Sequence, residues 1–307
     1  MRSALLLIPV LAACGDDGES VPTGDHFRYV VADLAIATNS TTARETGLDL
    51  DGDNSIDNQL GQVFGTLDGL GLGVGGTARE ALLGGGVIML ADLQTVGFDE
   101  AGVAGFTTFL GANPDPAPCL DPNDPATCGQ HLHGNARFTV EPGSTSALGV
   151  APIRGGDFLA SLDLLPVELV IDELPIRLDL RHARVHLRSI AADRITAVFA
   201  GGITKTDVQD AVVPAAHAQI ERIVRTECGQ TGPDAQAPCG CIAGSRAALL
   251  QRNFDANDDC AITLAEVASD SVVTALTAPD IVIRGERFLS FGVGVTLVPA
   301  DFDPGAP

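Results

Sequence analysis

The hydrophobic pattern of the chain is dominated by short runs of the kind that build strands. His26–Ala37 (HFRYVVADLAIA), Val87–Val96 (VIMLADLQTV), Gly105–Leu110 and Ala136–Glu141 are apolar segments bounded by Gly, Pro, Asp or Asn. From Leu148 to Phe199 almost every residue fits the same pattern. Within Leu174–Ile190, Ile176, Leu178 and Leu180 alternate with polar residues, and then Ala183, Val185 and Leu187 alternate on the opposite parity. A parity change would turn a strand inside out unless a residue is absorbed locally. A tight turn or bulge is therefore expected at Arg181–His182.

Helical spacing appears in fewer places. Gln59–Leu70 carries Leu60, Val63, Phe64 and Leu67 at helical intervals, weakened by glycines. Thr204–Glu227 reads as a helix, with Thr204 as its N-cap and Pro214 as a kink or break. Ser245–Phe254 and Leu264–Leu276 read as two more helices, and Ile281–Val298 returns to strand and rejoins the sheet. The expected fold is mainly β, an antiparallel sandwich or open barrel, with a small helical, disulfide-rich insertion: α+β overall. The expected organisation is a leader at 1–13, an acidic tether at 14–24, a β body at 25–203 plus 279–300, and a helical Cys-rich segment at 204–278.

With 307 residues and 45% hydrophobic residues, the chain can bury a substantial core. Its net charge of −22 excludes the basic face that a nucleic-acid binder needs and favours divalent cations as partners. Seven cysteines leave an even number once Cys14 is set aside. Cys119 and Cys128 form a natural local pair in a Pro- and Asp-rich loop. Cys228, Cys239, Cys241 and Cys260 allow three connectivities, with a zinc site as the competing reading.

The N-terminus, MRSALLLIPVLAAC, has Arg2, then the apolar run Ala4–Leu11, then Leu11-Ala12-Ala13-Cys14. It resembles the signal peptide and lipobox of bacterial lipoproteins. The resemblance implies cleavage before Cys14, acylation of its thiol, and a lipid-anchored address in the cell envelope, on the periplasmic or cell-surface side. Gly15 and Asp16 lean that address towards the outer membrane.

Asp255–Glu266 (DANDDCAITLAE) resembles an EF-hand loop. That resemblance implies calcium held by Asp255, Asn257, Asp259, the Ala261 carbonyl, Thr263 and Glu266, with Ile262 as the apolar residue of the loop. One departure is Cys260, which stands at position 6 where the family has Gly and a positive φ; a disulfide at Cys260 would hold that geometry. A second acidic stretch, Asp49–Leu60 (DLDGDNSIDNQL), resembles the looser Asp-x-Asp-x-Asp calcium loops of secreted bacterial proteins. It offers Asp49, Asp51, Asp53, the Ser55 carbonyl and Asp57. The segment before it reads as a strand, which argues against helix–loop–helix there.

Other constellations point less far. His131 and His133 form a His-x-His that lacks a third ligand. His182, Arg184, His186 and Arg188 line one face of a strand, as a solvated face or a dock for an anionic partner. No G-x-S-x-G, H-E-x-x-H or phosphate-loop signature occurs. The expectation is a non-catalytic calcium-binding or structural lipoprotein whose protein or glycan partner is unspecified. An extracytoplasmic hydrolase using the Cys119–His133 loop and a calcium-dependent adhesion module are the alternatives.

Overall fold

The computed structural model describes residues 21–69, 74–142, 144, 148–171, 174–229 and 239–304. Its strands are β1 (Asp25–Ala35), β2 (Met89–Thr95), β3 (Glu100–Asp115), β4 (Ala136–Val140), β5 (Leu148–Arg154), β6 (Asp157–Ile171), β7 (Leu174–Arg188), β8 (Ile195–Ile203), β9 (Ile281–Ile283) and β10 (Glu286–Asp301). Eight of them, β1-β2-β3-β5-β6-β7-β8-β10, form a closed antiparallel barrel, and β10 closes it by pairing with β1. The structure therefore corrects both the sandwich and the open barrel. Closure removes exposed sheet edges, and pairing β1 with β10 joins the two ends of the body, a contact that local pattern does not encode. At one rim the short β4 bridges β3 and β10, and β9 forms a hairpin with β10.

The lumen is a packed core. By register, Val185 of β7, Phe199 of β8 and Val293 of β10 share the inward face, as do Phe106 of β3 and Leu93 of β2. The Phe106 ring meets Phe158 of β6 and Phe199 of β8 with centroids 6.3 and 5.9 Å apart. Rings from three non-neighbouring strands can meet only across the lumen, and full burial of side chains this size stabilises by roughly 2–3 kcal/mol each. The parity change in β7 is a bulge: the register with β8 shifts between Arg181 and Arg184, and His182 has φ +48°.

Helices cover the barrel. They are α1 (Ser40–Glu45), α2 (Gln59–Gly69), α3 (Val74–Leu83), α4 (Lys205–Asp207), α5 (Val213–Glu227), α6 (Arg246–Phe254), α7 (Leu264–Ser269) and α8 (Ser271–Leu276). Sequence pattern missed α1 and α3. The first begins with an Asn39–Thr42 capping box. The second ends in Gly84-Gly85-Gly86, where Gly85 takes φ +73° and Gly84 and Gly86 return hydrogen bonds to the Glu80 and Ala81 carbonyls. Phe64 of α2 stands edge-on to inward-facing Phe291, ring centroids 5.9 Å apart.

Thr204 caps α4 as expected. Pro214 falls in the first turn of α5 behind a π-helical turn, Val208–Val212, which absorbs the break. Two readings need correction. Leu264–Leu276 is two helices, because the Asp270 side chain accepts the Val272 and Val273 N–H groups and starts α8 afresh. Ile281–Val298 is a hairpin, because Arg284 (φ +52°) and Gly285 (φ +87°) turn the chain between β9 and β10.

Candidate functional site

The six cysteines after Cys14 pair as Cys119–Cys128, Cys228–Cys241 and Cys239–Cys260. These bonds use every thiol of the zinc reading and overturn it. Cys14 lies outside the described residues. No helix among the described residues is long and apolar enough to cross a membrane.

The 255–266 loop runs from the end of α6 into α7 and is held from within. Asp255 is 7% exposed. Its carboxylate accepts the Asp259 N–H at 3.0 Å, the Cys260 N–H at 2.8 Å and the Gln251 amide at 2.6 Å. Asp258 and Cys260 take φ +58° and +65°, so Cys260 adopts the left-handed conformation expected at its position. Thr263 caps α7, and Glu266 accepts the Thr263 N–H and hydroxyl at 2.8 Å each. The other Glu266 oxygen reaches back to the Ala256 N–H at 3.1 Å. Asn257 and Asp259 bond to each other and to loop N–H groups. The Ile262 carbonyl faces His217 Nε2 of α5 at 2.8 Å. Asp255 clusters with Cys239 and Cys260, whose sulfurs are bonded to each other and offer no thiolate. The Asp255, Asp259 and Glu266 carboxylates are thus engaged mainly with the loop's own backbone.

The 49–57 loop has a different geometry. It is pinched by a bridge between Leu48 and Asp57, whose N–H donates to the Leu48 carbonyl at 3.0 Å. The element before it is helix α1, which corrects the strand reading, so the loop runs from α1 into α2. Asp49, Asp51 and Asp57 each place a carboxylate oxygen within 4.8 Å of the others. Asp49 accepts the Gly52 and Asn54 N–H groups, and Asp57 accepts the Leu50 N–H at 2.7 Å. Asp53 is turned to its own backbone, accepting the Ser55 N–H at 2.7 Å. Burial pushes the Asp57 carboxyl above the usual carboxylate range, and the charges of Asp51, Asp280 and Asp53 push it further. Asp280, which the sequence did not flag, comes from the segment before β9 and is fixed by Ser290 of β10.

A buried asparagine ties this loop to the barrel. Asn58 is 2% exposed. It accepts the N–H of Gly292 and donates to the Gly292 carbonyl, completing β10 beyond the end of β1. It also bonds to Ala43, Thr46 and Gly61. A Cβ on Gly292 would stand 2.3 Å from the Thr46 carbonyl oxygen, so this close approach requires glycine.

The histidine pair is split. His131, on a 3-10 turn (Gln130–Leu132), is fully buried beside Phe138, whereas His133 is exposed. Burial lowers the His131 pKa to about 4. Neither of its ring nitrogens makes a hydrogen bond of normal geometry, and none reaches a carboxylate or nucleophile among the described residues. His131 is therefore not aligned with a nucleophile or carboxylate as a general base would be.

Comparisons with protein families, curated proteins and solved structures return no match for this chain.

Proposed function

We propose that this protein is an exported, lipid-anchored β-barrel protein of the cell envelope that binds calcium in its loops and acts as a non-catalytic binding or structural protein. The observation that carries calcium is the convergence of Asp49, Asp51 and Asp57 beside Asp280. Carboxylates so crowded repel one another, and a hard divalent cation bound by oxygen ligands relieves that repulsion. Asp53 and the Ser55 carbonyl complete the proposed ligand set of this loop. The 255–266 loop is proposed as a second, EF-hand-like site. Its support is the ligand spacing, the left-handed backbone at Cys260 and the helices on either side. Here Glu266 would leave the Ala256 N–H to become the closing ligand. The anchor is proposed from Leu11-Ala12-Ala13-Cys14, with Cys14 as the acylated residue.

Two experiments test the proposal. Thermal unfolding in excess calcium should raise Tm above that in chelator, since a ligand at 100 times its Kd adds about 2.7 kcal/mol to the folded state. Equal Tm values in calcium, magnesium and chelator would refute the metal reading. Metabolic labelling with a radioactive fatty acid should mark the protein and lose the mark in Cys14→Ser; equal labelling of both would refute the anchor.

A further inference from the structure

We infer that the cleft beside the 49–57 loop binds a small acidic sugar, a uronic acid or its glycoside, with the carboxylate held by Arg184 and Arg284. The cleft measures about 380 Å³, room for a sugar ring and its water. Its walls come from five places in the chain. Asp51 comes from the acidic loop, Ser161 and Asp163 from β6, and His182 and Arg184 from β7. Arg284 of the β9–β10 turn and exposed Leu148 of β5 also line it.

Three features point to this ligand class. First, Arg184 and Arg284 line one cleft in a chain of net charge −22 and offer guanidinium donors to a carboxylate. Among the described residues neither arginine is in an ion pair, and the Arg184 guanidinium is anchored by donating to the Asp49 carbonyl oxygen. The His182 ring is fixed edge-on to Phe288, with centroids 5.5 Å apart. Second, His182 and Arg284 both sit in the left-handed region, at φ +48° and +52°. These are the β7 bulge and the β9–β10 turn, so the cleft lies where two irregular stretches of backbone meet. Third, Asp51 and Asp163 face the same space. These carboxylates accept hydrogen bonds only, so they repel a bare anion and call for a ligand that also brings donors. A uronic acid supplies both, its carboxylate to the arginines and its hydroxyls to Asp51, Asp163 and Ser161.

The inference does not need calcium in the neighbouring loop, so titrations are run in chelator and in calcium, and binding in either state supports it. The probes are glucuronate, glucose and inorganic phosphate, followed by calorimetry on the purified full chain. Glucuronate should bind, with glucose and phosphate each at least about tenfold weaker. Arg284→Gln and Asp163→Asn, both at exposed positions, should each weaken glucuronate by about tenfold while leaving Tm unchanged. The inference is overturned if glucuronate fails to bind in both states. Glucose binding as well as glucuronate would overturn it, as would phosphate binding as well, which would mark a simple anion site. Indifference of glucuronate binding to both substitutions would also overturn it.

Discussion

Cys239 and Cys260, 21 residues apart, form a disulfide in which both cysteines have left-handed backbone, φ +60° and +65°. Cys260 also donates its N–H to Asp255, so the crosslink fixes the turn on which the acidic loop is wound. A glycine would adopt that turn without strain. Here a covalent bond holds a residue that resists it.

Replacing both cysteines with serine should therefore destabilise the protein through loss of the crosslink alone, since serine and cysteine meet the left-handed backbone at the same cost. Loss of a crosslink of this span costs about 3 kcal/mol. Cys239→Ser with Cys260→Gly should lose on the order of 1 kcal/mol less, because glycine relieves the left-handed strain at 260. Denaturant unfolding in oxidising buffer measures both, and equal stability of the two double variants would show that the backbone at 260 is unstrained.

Asn58 is the joint between the acidic loop and the barrel. Asn58→Ala strands the buried polar groups of Gly292 and should cost about 3 kcal/mol. Gly292→Ala should cost at least as much, because the new methyl meets Thr46 backbone. Substituting Asn123, an exposed loop residue, should change stability by less than about 0.5 kcal/mol. Denaturation midpoints decide between these outcomes.

His131 makes stability depend on pH with a defined sign. Burial holds its folded pKa at about 4, below the ordinary 6.5. Between those values the unfolded chain binds more protons than the folded one. The His131 contribution is therefore complete above pH 6.5 and is lost as pH falls towards 4, by on the order of 3 kcal/mol in all. His131→Leu should remove that part of the pH dependence and keep or raise Tm at neutral pH, since it deletes two buried nitrogens that lack a hydrogen bond of normal geometry. Parallel stability–pH curves for parent and variant would contradict this.

The parts of the fold legible in the sequence are those governed by local pattern. The strands at 26–35 and 89–95, the bulge at His182, the Thr204 cap, the helix that begins after Ser245 and the local Cys119–Cys128 pair all follow from spacing and cap chemistry. The closed barrel did not, because β1 and β10 meet only after the whole chain has folded. The breaks at Asp270 and Arg284–Gly285 were hidden inside apolar runs, although an Asp before a helical turn and an Arg-Gly pair are their signals. For the candidate site, spacing found both acidic loops but not their geometry. Asp280 and Arg184 join the 49–57 loop from distant parts of the chain, and whether carboxylates converge or turn to their own backbone depends on neighbours the loop sequence does not contain.

The most direct test of the central claim is calorimetric titration of the purified protein with calcium, beside Asp49→Asn/Asp51→Asn and Asp255→Ala/Glu266→Ala variants. The account predicts two binding events in the parent, one lost in each double variant, with affinities within the roughly 10⁻⁷–10⁻³ M range of sensor-type and extracellular calcium sites. A parent that takes up no calcium, with both acidic loops behaving as ordinary solvated turns, would contradict it.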